Sequence, residues 1–129
     1  LMKTYKYRND VVLTGYLTEE ELAEVLASSY ALVYPSLFEG FGVPVIEAMK
    51  CNVPVLTSEK TSMEEAGGAA ALYFNPANHN DIAEKMMLIY KDENLRKTMI
   101  EKGRQNAEKY NWEKSADLFW QTILKTVGS

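Results

Sequence analysis

Glu39 and Glu47 bracket the segment Gly40-Phe41-Gly42-Val43-Pro44-Val45-Ile46, which follows the apolar run Ala31-Leu32-Val33-Tyr34 and then Pro35-Ser36. The apolar run reads as a buried strand. The glycines and Pro44 read as a turn opening into a helix, so the two carboxylates fall on either side of a helix start. A strand feeding a glycine-rich turn and then a helix suits phosphate, because the first N–H groups of a helix lack intrahelical partners. Glycine lets such N–H groups come close to an anion and allows positive φ, whereas Pro44 has no N–H and only shapes the turn. The chemistry implied is recognition of a nucleotide or a nucleotide-sugar. A plainer reading exists for each residue. One glycine suffices for an ordinary strand-to-helix turn, and a carboxylate beside a helix N-terminus gains ~0.3–1 kcal/mol with no ligand at all. Glu47 stands between Val45-Ile46 and Ala48-Met49, and a carboxylate in apolar company is expected to have a partner.

The elements that must position these residues alternate along the chain. Val11–Thr14 reads as a strand. Thr18 with Glu21 forms a capping box for a helix over Thr18–Ser28, whose Leu22, Val25 and Leu26 share one face. A strand at Ala31–Tyr34 follows. Next come a helix starting around Pro44 and stopping at Asn52, a strand at Val53–Thr57, a helical turn over Ser62–Ala66, the Gly67-Gly68 break, and a strand at Ala70–Phe74. Beyond Pro76 the pattern is helical. Asn80 is expected to cap a helix to Tyr90, Glu93–Lys109 forms a second, and Asn111 caps a third ending near Val127. This order predicts an α/β fold: a truncated, doubly wound parallel sheet with extra C-terminal helices.

Composition sets wide limits. The chain has 129 residues, 47% of them hydrophobic and 25% charged, which fits one globular domain. A net charge of −4 with scattered Lys and Arg argues against nucleic acid as a partner. One cysteine, Cys51, excludes an internal disulfide, and one histidine, His79, leaves no His/Cys metal constellation. No apolar run reaches the ~20 residues of a bilayer span, and no signal peptide opens the chain, so a cytoplasmic address is expected. The abrupt start at Leu1-Met2, before the polar Lys3–Asp10, reads as an excerpt of a longer sequence. Cys51 is expected to pack at a helix-to-strand corner and His79 to be solvated. Trp112, Phe119 and Trp120 are expected to be packing residues.

The stretch from Glu39 to Glu47 resembles the E-x7-E signature of retaining glycosyltransferases of GT-B architecture, the large family-four group. Its neighbours match in the same order. They are Val12-Leu13-Thr14-Gly15-Tyr16-Leu17, Tyr34-Pro35-Ser36, Glu47-Ala48-Met49-Lys50-Cys51-Asn52-Val53-Pro54-Val55, Asn75-Pro76 and Tyr110-Asn111-Trp112-Glu113. The match runs from about Val11 to Trp120. A bare E-x7-E is weak evidence, whereas six segments in order are specific. The resemblance implies that residues 1–129 are a partial donor nucleotide-sugar-binding domain, a Rossmann-like half of GT-B. The early βα units and the N-terminal acceptor domain would be absent.

By the same resemblance, Glu39 would contact hydroxyls of the donor sugar at the catalytic centre, and Glu47 would accept both ribose hydroxyls. The turn at Gly40 with the amides of Phe41, Gly42 and Val43 would meet the diphosphate or the sugar. Two carboxylate oxygens suit paired O–H donors. The family's phosphate-binding Arg/Lys pair would lie upstream of Val11, and Lys6 and Arg8 are not expected to replace it. Glu65 matches a donor-side glutamate of the family, although Glu64 stands for the usual proline and Ala69 for the usual aspartate.

The activity implied is transfer of a hexosyl group, with retention, from a nucleotide-sugar to a glycan or lipid-linked acceptor. The parent would work in the cytoplasm or at the inner face of a membrane, with no metal or other cofactor, and the isolated fragment would be inactive. Two other classes stay open: a non-catalytic nucleotide- or protein-binding module, and a related inverting transferase or epimerase. If the chain holds the third to sixth strands of a 3-2-1-4-5-6 sheet, Val11–Thr14 belongs two strands from Ala31–Tyr34. The exposed edge and the apolar face of the last helix then predict association, as a homodimer.

Overall fold

The computed structural model describes residues 6–127; the opening Lys3, Thr4 and Tyr5 and the first two residues lie outside it. After a short 3-10 turn at Arg8–Asp10 the elements run α1 (Glu19–Ala27), β1 (Leu32–Tyr34), α2 (Val43–Lys50), β2 (Val55–Ser58), α3 (Met63–Gly67), β3 (Ala71–Phe74), α4 (His79–Lys91), α5 (Glu93–Ala107) and α6 (Trp112–Val127). The three strands form one parallel sheet in the order β1-β2-β3, with Leu32 opposite Val55 and Val55 opposite Ala71.

Strand alternation splits the core in two. Leu32, Tyr34, Val55 and Ala71 face one way, onto Val45, Ile46, Ala48 and Met49 of α2, Met63 and Ala66 of α3, and Ala107 of α5. Val33, Leu56, Leu72 and Phe74 face the other way, onto Ile82 and Ile89 of α4 and Leu95 and Met99 of α5. The two crossovers run in one direction along the sheet, α2 and α3 lie on the same face, and α4 covers the other. The sheet is thus wound on both sides, as expected. β2, between the other two strands, is buried at every position, which suits its unbroken Val-Leu-Thr-Ser run.

Val11–Thr14 is not a strand. It stays unpaired, with Val12 79% and Leu13 83% exposed. Its composition is strand-like, but a ladder needs a neighbour, and no sheet edge reaches it here. Among the described residues no strand, this segment included, pairs with the free edge of β1. The α1 capping box forms as expected, with Glu21 N–H donating to Thr18 Oγ1 and Thr18 N–H to Glu21 Oε2. Yet α1 has no buried residue, and only Leu26 of its apolar set packs on the core.

The cap of α4 is Asn78, not Asn80. Asn78 Oδ1 accepts from the N–H groups of Asn80 and Asp81 while its own backbone is extended, and Asn80 already lies inside the first turn. Among the described residues no helix is long and apolar enough to cross a membrane.

Candidate functional site

The site grows out of the end of β1. Tyr34 closes the strand, and the chain then runs through Pro35–Phe41 before entering α2 at Val43. Gly42 is the N-cap residue, with φ 93° and ψ 44°. Only glycine takes this left-handed geometry readily. Space is tight there as well: a Cβ would stand 2.7 Å from Met63 Cε and 2.9 Å from its Sδ, so the end of that side chain would have to shift. Gly40 differs, since a Cβ there would meet nothing within 4 Å and its φ is not in the left-handed region. Pro44 falls in the first turn of α2, where no intrahelical hydrogen bond is lost.

The N-terminus of α2 has no side-chain cap. By contrast, Thr18 caps α1, Asn78 caps α4, Asp92 caps α5 through Leu95 N–H, and Asn111 accepts from Lys114 N–H at the start of α6. The N–H groups of Phe41, Gly42 and Val43 have no hydrogen-bond acceptor among the described residues. They form a concentration of free donors at the positive end of the helix dipole.

Glu39 is half-buried and held from two directions. Tyr34 O–H donates to Glu39 Oε1 at 2.6 Å, and Ser62 Oγ, just before α3, donates to the Glu39 carbonyl at 2.8 Å. Tyr34 is itself fixed, because Thr57 Oγ1 of β2 donates to its carbonyl at 3.0 Å. The hydrogen bond to Glu39, with burial and the carboxylate's charge, pushes the Tyr34 phenol up to about 12. The Phe41 ring points inward. It meets Tyr110 edge-on with centroids 5.4 Å apart, and Tyr110 O–H donates to the Glu65 carbonyl at 2.9 Å. Phe41 therefore offers only its backbone to the turn.

Glu47 is exposed, and among the described residues its carboxylate makes no hydrogen bond or ion pair, contrary to the expectation of a partner. The apolar neighbours misled because the helix sorts them: Val45, Ile46, Ala48 and Met49 are buried, while Val43, Glu47 and Lys50 share the outer stripe. Glu47 stands one turn after Val43 on that stripe. Glu39 lies on the loop ahead of α2, braced by the protein, and Glu47 lies on the outer face of α2, open to solvent.

The remaining candidates lie elsewhere. Glu65 is exposed on α3, and Glu64 is engaged as the acceptor of Lys60 N–H. Cys51 is half-buried at the end of α2 and packs on the core, and His79 is exposed as the first residue of α4. Lys6 sits over the Tyr7 ring. Among the described residues no three His, Cys, Asp or Glu side chains converge on a point that could hold a metal ion. An apolar hollow of about 540 Å³, lined by Tyr30, Val33, Leu56, Met87 and Ile89 among others, lies on the sheet face away from α2 and takes no part in the site. Sequence reasoning overlooked Tyr34 and Ser62 as partners of Glu39. The only signal was the Tyr34-Pro35-Ser36 strand end itself.

A doubly wound parallel sheet with a strand, a glycine turn and an uncapped helix at its edge defines a Rossmann-like α/β domain. The chain belongs to the family described as Glycosyl transferases group 1, which matches residues 1–106. It is 36% identical over 99 residues to O-antigen chain mannosyltransferase B of Escherichia coli, covering 77% of this chain and 26% of that protein. It is 50% identical over 69 residues to O-antigen chain mannosyltransferase RfbU of Salmonella typhimurium, covering 54% and 20% respectively. In structure it is similar to sucrose-phosphate synthase from Thermosynechococcus elongatus, with a TM-score of 0.85 and 27% identity, over 93% of this chain and 31% of that one. The chain therefore spans about a quarter of the length of these curated relatives. The family and the Rossmann-like half of GT-B both stand as the sequence led one to expect.

Proposed function

We propose that this chain is the donor-binding part of a hexosyltransferase. The whole protein would move a hexosyl group from a nucleotide-sugar to a glycan or lipid-linked acceptor with retention of configuration, at the cytoplasmic face of a membrane. Relatives named as mannosyltransferases support the sugar-transfer class. The observation that carries the reading is the pairing of a braced carboxylate, Glu39, with a helix N-terminus that alone among the longer helices lacks a side-chain cap.

The roles follow from chemistry. Free N–H groups of Phe41, Gly42 and Val43 would bind the diphosphate, whose charge grows as the glycosidic bond breaks, so the helix end favours the transition state over the ground state. Among the described residues nothing lies within 4 Å of where a Cβ at Gly40 would stand, and its absence would let a ligand approach the backbone closely. Glu39, acceptor-only while ionised, would take sugar hydroxyls at the reacting centre, and Glu47 would take the two ribose hydroxyls. A helix N-terminus contributes on the order of 1–2 kcal/mol to anion binding. Donor affinity in the working enzyme would therefore draw on cations outside this chain. The reading calls for no metal or further cofactor.

The test is Glu47→Ala in the full-length parent. Loss of the paired hydrogen bonds should weaken nucleoside-diphosphate binding by roughly 1.5–3 kcal/mol, read by titration calorimetry. Unchanged affinity would remove the ribose assignment.

A further inference from the structure

Tyr34 and Glu39 are five residues apart, yet the turn folds back so that the phenol reaches the carboxylate at 2.6 Å. That distance is in the range of an O–H donor to an ionised acceptor. Tyr34 projects from the most constrained backbone near the site: it is paired opposite Thr57, and the Thr57 hydroxyl holds its carbonyl at 3.0 Å. Ser62 fixes the Glu39 main chain from the α3 side at 2.8 Å. Glutamate has three rotatable side-chain bonds. On the loop ahead of α2, flanked by the exposed Phe38 and Gly40, it would otherwise sample many rotamers.

We propose that Tyr34 is a positioning residue for the transfer reaction. Its hydroxyl occupies one lone pair of Glu39 Oε1 and so aims Oε2 at the donor sugar. This rests on the reading of Glu39 as a donor ligand. A phenol facing an ionised carboxylate can only donate, so the contact fixes which partner gives the hydrogen. The hydrogen bond to Glu39, with burial and the carboxylate's charge, raises the phenol further above its ordinary value, so it stays a donor well past the neutral range. Holding a catalytic group in one rotamer lowers the cost of reaching the reacting geometry.

The experiment is a double-mutant cycle in the full-length enzyme with Tyr34→Phe, Glu39→Ala and the pair, measuring kcat and KM for donor and acceptor separately, with far-UV dichroism as a folding check. Tyr34→Phe should lower kcat/KM for the donor about tenfold, the scale of one charged hydrogen bond. It should leave the acceptor KM unmoved and cost nothing further in the Glu39→Ala background. If Glu39→Ala is harmful and Tyr34→Phe is silent, the positioning role is overturned and the donor-binding reading survives. If Glu39→Ala is itself silent, the donor-binding role of Glu39 fails first. Equal losses from Tyr34→Phe in both backgrounds would assign Tyr34 to the fold alone. Should Tyr34→Phe not fold, a fluorinated tyrosine at this position, with a hydroxyl that ionises inside the assay range, gives an independent readout. Activity should then fall as that phenol ionises against Glu39, and a profile identical to the wild type would overturn the proposal.

Discussion

A phenol in a short hydrogen bond to a carboxylate, or buried near one, resists ionisation, and Tyr34 and Tyr73 are such groups. Tyr34 is pushed up to about 12 by its bond to Glu39. Tyr73, whose O–H donates to the Gly68 carbonyl at 2.7 Å, is pushed up to about 12 by burial and then by the charges of Glu64 and Tyr110. Both folded values lie above the model-compound value of 10.0, so the folded state binds more protons than the unfolded chain between those limits. The stability these groups contribute is fully present below pH ~10 and is lost as pH rises toward ~12. Urea midpoints should therefore decline across that interval, and Tyr34→Phe combined with Tyr73→Phe should flatten the decline. An identical slope in wild type and variant would show that the two phenols do not report this linkage.

At the scale of elements, α2 decides the site, and Gly42 decides α2. Any side chain at position 42 must adopt φ 93° and displace the end of Met63. Gly42→Ala should destabilise the domain by about 1–3 kcal/mol through backbone strain and overpacking. Gly40→Ala, facing open space, should stay within about 0.5 kcal/mol. Equal denaturant midpoints for the two variants would contradict this account.

The contrast also shows what could be read from the chain without coordinates. The turn, Pro44, the stop at Asn52 with φ 59°, and the capping box of α1 are local signals, because each depends on residues within one helical turn. Glu39 and Glu47 were singled out by spacing and neighbours. The hydroxyl bond from Ser62 to Glu39 spans 23 positions and the packing of Phe41 on Tyr110 spans far more, and no periodicity carries such pairings. The loose strand at Val11–Thr14 failed for the same reason in reverse: its residues favour a strand, but pairing is a property of whichever neighbour stands beside it.

At the scale of the whole molecule, apolar surface is left without a cover. α6 has no buried residue, with Trp112 85% and Trp120 60% exposed and Phe119 beside them. The hollow beside Tyr30 and Met87 opens on the opposite sheet face from α2, next to the bare edge of β1. Relatives about three times as long have more chain with which to cover such faces. Soluble monomers rarely expose contiguous apolar patches beyond a few hundred Å², and a helix of 16 residues gains little stability from its own hydrogen bonds. The isolated chain should therefore associate as its concentration rises. Sedimentation velocity should show species above the 14.6 kDa monomer at tens of micromolar, a range set by the ~8 kcal/mol that micromolar association requires. Trp112→Ser, Phe119→Ser and Trp120→Ser together should return the chain toward the monomer without changing the melting of the α/β body, since none of the three side chains belongs to either core cluster. A sharp monomer boundary at all concentrations in the unmodified chain would mean that α6 is covered from within, and its apolar face would then have to be assigned to folding rather than to contact with further chain.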